Sequence, residues 1–71
     1  MLFALVAVVC STIPGPELCV EEIVARVPYQ ACTISGQLVI APWMAEGKYR
    51  EDWRLERWKC EGADYVVRGR V

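Results

Sequence analysis

The sequence predicts a small α+β domain: an antiparallel sheet of three to four strands packed on one helix, in the order β-β-α-β-β, and stapled by disulfides. Three observations predict it. The chain opens on MLFALVAVVC, nine apolar residues and a cysteine, so both faces of this segment want to leave water. Sustained helical spacing occurs once, between residues 31 and 46. Four cysteines stand in 71 residues, in a chain without histidine.

Length and composition bound the rest. A chain this short makes one domain, residues 1–71, and buries only about 60–65% of its extended surface. Yet 55% of its residues are hydrophobic, against a usual share of about 45–50%. So many apolar side chains around so small an interior predict an apolar surface face, of the kind that marks interaction sites. Charge is mild and divided. Residues 1–47 carry Arg26 against Glu17, Glu21, Glu22 and Glu46, whereas residues 48–71 carry seven Lys or Arg against five acids. That division is too weak for an electrostatic nucleic-acid footprint.

Met1–Cys10 admits three readings. A secretory signal needs a positive start and small residues at its cleavage site; no Lys or Arg precedes the apolar run, and Val8-Val9-Cys10 suits cleavage poorly. A membrane span needs about 20 apolar residues, and this run meets Ser11, Thr12, Pro14 and Gly15 at half that length. A strand buried on both faces fits best, being short, rich in Val and ended by turn residues. The N-terminus is accordingly expected to be retained.

Ser11–Glu17 is a turn-rich connector, stiffened by Pro14 and Pro16. Val20–Tyr29 alternates well enough for a second strand, which Pro28 must end or hold at an edge. Ala31–Glu46 is the helix, with an expected apolar face of Cys32, Ile34, Leu38, Val39, Ala41 and Trp43. Gly36 and Pro42 argue against it, and a kink near Leu38–Pro42 or a break before Trp43 is expected. Gly47 is a plausible stop. Trp53–Cys60 is the third strand. Its apolar character changes face between Trp53/Leu55 and Trp58/Cys60, which suggests either a bulge near Glu56–Arg57 or a strand covered differently at its two ends. Glu61–Asp64 forms a hairpin-type loop, and Tyr65–Val71 returns as a fourth strand.

Cys10, Cys19, Cys32 and Cys60 allow three internal pairings. No close Cys pair of the kind structural zinc sites use is present, so disulfides are favoured over metal. A Cys10–Cys19 bridge would clamp the connector, and Cys32–Cys60 would join helix to strand; alternatively the cysteines bond to neighbouring chains. Either way the setting is oxidising: periplasm, exterior, or a particle released from a cell.

Catalysis has little to stand on. Histidine-based triads are excluded, no glycine-rich phosphate loop occurs, and no C-x-x-C motif supports redox exchange. Lys59 beside Cys60 is the one local cation next to a thiol, and in a strand the two point to opposite faces. The paired acids Glu21-Glu22 and Glu51-Asp52 read as a solvated edge and link. No catalytic, cofactor or metal residue is assigned. Arg50, Arg54, Arg57 and Lys59 interleave with Tyr49, Trp53 and Trp58, a pattern shared by base-stacking surfaces and protein hot spots. Trp58 is expected in the core and Trp53 at an interface.

Cys32 opening a helix that holds Gln37, Ala41 and Trp43, followed by Trp53 and Trp58-Lys59-Cys60, resembles a known group. So does the apolar start ending in Cys10, followed by Pro14, Pro16 and Cys19. The group is the short, uncharacterised four-cysteine proteins of rhizobia and related alphaproteobacteria, with similar small phage virion accessory proteins. The chain departs from it in Pro42 and in the tail Glu61–Val71. The resemblance implies the fold and the disulfides, and no activity.

The function expected is therefore non-enzymatic: a small accessory, linking or decoration component of a larger assembly, plausibly a phage capsid or tail. The alternative is a self-contained periplasmic or secreted binding module. Partners are expected to be proteins, including copies of this chain, rather than nucleic acid, with no membrane span. The expected interface is the uncovered sheet face and its neighbours: Leu2, Ala4, Val6, Val8, Trp53 and Leu55.

Overall fold

Four elements make up the computed structural model, which describes residues 1–68. They are β1 (Leu2–Ser11), β2 (Cys19–Pro28), α1 (Tyr29–Glu46) and β3 (Trp53–Glu61). The most apolar strand takes the middle of an antiparallel sheet of order β2-β1-β3. That position gives Ala4–Cys10 a neighbouring strand on both edges. Ala4 through Val9 and Cys10 are 0–1% exposed.

Two bulges decide which side chains meet the helix. Between β1 and β2 the register jumps from Leu5↔Ala25 to Val6↔Ile23, leaving Val24 as the extra residue. Between β1 and β3 it jumps from Val8↔Arg57 to Val9↔Leu55, leaving Glu56 unpaired. The second bulge is the one expected near Glu56–Arg57. An extra residue restores phase, so Trp53, Leu55, Trp58 and Cys60 all lie opposite Ser11, Val9, Ala7 and Leu5, on the helix side. Arg54, Arg57, Lys59 and Glu61 lie on the other.

The core on the helix side gathers Leu5, Ala7, Cys32 and Ile40, with Val24, Val27, Val39, Trp43, Met44, Leu55, Trp58 and Cys60 packed around them. β2 runs into α1 without a linker. Pro28, extended at φ −60° and ψ 154°, is the helix N-cap, and Pro42 lies inside a continuous helix. The helix face differs from the expected one. Cys32, Gly36 and Ile40 are buried, whereas Ile34 and Leu38 are 80% and 76% exposed. The reason is Trp58. Its ring lies so close to Gly36 that a Cβ there would stand 2.6 Å from it, and only glycine lets that side of the helix approach the sheet. Gly47 ends α1 in an extended conformation, where a Cβ would meet the Trp43 carbonyl oxygen at 2.8 Å.

Two internal disulfides close the fold, one on each side of the sheet. Cys10–Cys19 joins register partners on the face away from the helix. Cys32–Cys60 ties α1 to β3. No cysteine is left free.

The expected fourth strand is not formed among the described residues. Tyr65–Arg68 has no strand structure, and Gly69, Arg70 and Val71 lie outside the described residues. After a turn in which the Tyr65 N–H donates to the Gly62 carbonyl at 3.0 Å, the chain comes back over the face opposite the helix. The order is thus β-β-α-β.

Candidate interaction surface

The sheet face expected to meet a partner is closed. Ala4 and Val6 are fully buried and Val8 is 1% exposed, so they offer no surface. The physical cause is a cluster built from both flanking strands and the returning tail. Glu21, opposite Val8, accepts hydrogen bonds from the Tyr65 hydroxyl and, at 3.3 Å, from the Arg68 backbone N–H. Lys59, opposite Val6, reaches Glu21 at 3.0 Å and Glu61 at 3.3 Å. Its ammonium stands 5.0 Å from the centre of the Tyr65 ring.

Glu21 is itself 2% exposed. Burial alone would raise its carboxyl; the hydrogen bonds from Tyr65, Lys59 and the Arg68 backbone outweigh that and hold it at about 2, from an ordinary 4.5. Tyr65 and Glu21 push the Lys59 ammonium above the usual lysine range. The acid pair read as a solvated edge therefore splits across the sheet. Glu22 points to the helix side, accepts the Tyr49 hydroxyl and pairs with Lys48 at 3.3 Å.

The open surface lies on the helix side instead. Between α1 and the Tyr49–Leu55 segment runs a groove of about 600 Å³, walled by Ile40, Met44, Tyr49, Trp53 and Leu55 with Gln37 and Arg50 at its rim. Aromatic contacts set its shape: Trp43 and Tyr49 have ring centroids 5.5 Å apart, and Trp53 meets Tyr49 edge-on at 4.9 Å. Leu38, Ala41 and Ala45 form the helix-side lip, and Ile34, one turn before Leu38, stands out into solvent beyond it.

The six expected interface residues thus do not come together. Trp53 and Leu55, half-buried, lie in the groove. Leu2, 46% exposed, lies at the far end of β1, and Ala4, Val6 and Val8 are interior. What the sequence reading missed were Met44, Ile40 and the exposure of Ile34 and Leu38, which it had placed on the apolar face of the helix. The aromatic and basic residues of β3 also separate: Trp53 and Trp58 face the helix while Arg54, Arg57 and Lys59 face away. Sulfur and carboxylate donors of Cys10, Glu17 and Cys19 lie within 4.8 Å of one another, but the two sulfurs are bonded to each other and present no thiolate.

The fold and its surface define a small α+β protein with two internal disulfides, which point to an oxidising extracellular or periplasmic setting. Among the described residues no helix is long and apolar enough to cross a membrane. Comparison with family models, curated proteins and solved structures finds no match.

Proposed function

We propose that the chain is a non-enzymatic interaction module of an oxidising environment, docking a protein partner through the outer side of α1 and the groove beside it. The single observation that carries this is the pair Ile34 and Leu38, 80% and 76% exposed, adjoining an apolar groove rather than standing alone. Large side chains left in water beside a preformed concavity are the anchors that interfaces use.

A component of a larger assembly, such as a released particle, and a self-contained secreted or periplasmic module both fit this role. The internal pairing of all four cysteines favours attachment by contact over covalent linking. Burial of Ala4–Cys10 at the centre of the sheet supports retention of the N-terminal segment as a strand.

Benzoylphenylalanine at the groove-rim position Gln37, introduced in the native host and photoactivated, tests the docking site. The expected result is an adduct of discrete mass that Leu38→Asp abolishes. No adduct, or one indifferent to Leu38→Asp, rejects the site.

A further inference from the structure

We infer that the outer side of α1 pairs with the same surface of a second copy of this chain, the two helices antiparallel about a two-fold axis. The inference rests on α1's outer side being the docking surface and names its occupant. Three observations carry it: charge, spacing and side-chain size.

Charge narrows the choice of occupant. From Tyr29 to Ala45 the helix holds no Asp, Glu, Lys or Arg. A surface without charge has nothing with which to select a charged partner. Between Tyr29 and Ala45 the helix also offers no cation of the kind by which interfacial helices lie on anionic membranes. The same neutrality suits a two-fold contact, where every group meets its own surface inverted and like charges would face each other.

Spacing makes the surface a seam. Ile34, Leu38, Ala41 and Ala45 are exposed and follow one another by four, three and four residues. That is the repeat by which two helices keep a continuous contact line. On a 3.6-residue helix these positions fall opposite the buried stripe of Cys32, Gly36 and Ile40.

Size then fixes the direction. In an antiparallel pair with the axis passing between residues 39 and 40, Ile34 faces Ala45 of the other copy and Leu38 faces Ala41. Each large side chain meets a small one, and all four exposed seam positions obey this in one register. A parallel pair would set Leu38 against Leu38 and Ala41 against Ala41. The alanines let the backbones approach, and Leu38 at the groove lip reaches toward the partner helix.

A seam from Ile34 to Ala45, about 17 Å long at 1.5 Å per residue, is smaller than a standard stable interface, so the dimer is expected to be weak. Sedimentation equilibrium of the oxidised chain from about 10 μM to 1 mM, corresponding to the millimolar-to-micromolar affinity range, reads it directly. The expected result is a mass rising from monomer toward dimer. Leu38→Ala and Ala41→Leu, each at an exposed position, should separately weaken association about tenfold. The double variant L38A/A41L, which exchanges large and small across the axis, should restore it. Circular dichroism and thiol titration establish that every variant keeps the fold and both disulfides.

Monomer mass throughout, indifference to Leu38→Ala, or a double variant no better than the singles overturns the pairing. The Gln37 photo-adduct separates the two failures. A monomeric chain that still forms a Leu38-dependent adduct with a different protein loses the two-fold contact and keeps the docking site. A monomer without that adduct loses both.

Discussion

Glu21 sits where a carboxylate is costly, and its three donors explain why the fold keeps it. Removing the acceptor leaves Tyr65 without its partner and Lys59, a third exposed, with only Glu61. Glu21→Ala is expected to cost about 1–3 kcal/mol, the range for an unsatisfied buried group, and urea unfolding at neutral pH measures it. The sign of the pH effect follows from the depressed carboxyl. Folded Glu21 titrates at about 2 against an ordinary 4.5, so its contribution is complete above about pH 5 and declines as pH falls toward 2. Lys59 has the opposite sign: its raised value makes its contribution complete below the ordinary lysine range and lost well above it. The gap in stability between wild type and Glu21→Gln should therefore be wide at pH 7 and narrow by pH 2.5. Equal gaps at both would remove Glu21 as the tail's anchor. None of this was legible beforehand, because the Tyr65 partner stands 44 positions along the chain and Glu21 beside Glu22 looks like a wet edge.

At the scale of the element, α1 is where reading the sequence and folding it diverge. Apolar residues occur all round this helix, so its spacing contains two stripes, and nothing local decides which turns inward. The inward one is chosen by Gly36, whose lack of a side chain admits Trp58. Gly36→Ala tests that choice by its sign. At an exposed helical site the change stabilises by about 1 kcal/mol; here the methyl would collide with a half-buried indole, and a net loss of about 1–3 kcal/mol is expected from overpacking. Thermal or urea unfolding distinguishes the two, and a stabilised variant would mean that the helix does not pack as described. By contrast the β3 bulge was one of two readings the strand's pattern offered. Trp53 and Leu55 are out of phase with Trp58 and Cys60, and one extra residue is the simplest way to put all four on one side.

For the molecule as a whole, the two disulfides constrain loops of different length. Cys10–Cys19 spans a separation of 9 and Cys32–Cys60 one of 28. Loop-closure entropy makes them worth about 2.6 and 3.6 kcal/mol respectively, and the second also fixes the helix over the core. Replacing Cys32 and Cys60 together by Ser should therefore destabilise more than replacing Cys10 and Cys19, as judged by unfolding midpoints of the paired variants. The reverse ranking would show that tethering α1 matters less than clamping the connector. Both pairings were among those the spacing allowed. The closed sheet face was not foreseeable, since it depends on a tail that crosses the sheet instead of extending it.

The order β2-β1-β3 has a consequence for how the chain is made. β1 is synthesised before both of its partners, yet one of its two ladders cannot form until Trp53–Glu61 has followed. Until β3 emerges, a ten-residue, Val-rich segment therefore waits with an unpaired edge, the kind of exposure that nascent chains aggregate by. A holding factor, or delivery across a membrane before folding, would shield it until the last strand arrives. Oxidation of Cys32 to Cys60 then follows the arrival of that strand, and marks the completed sheet.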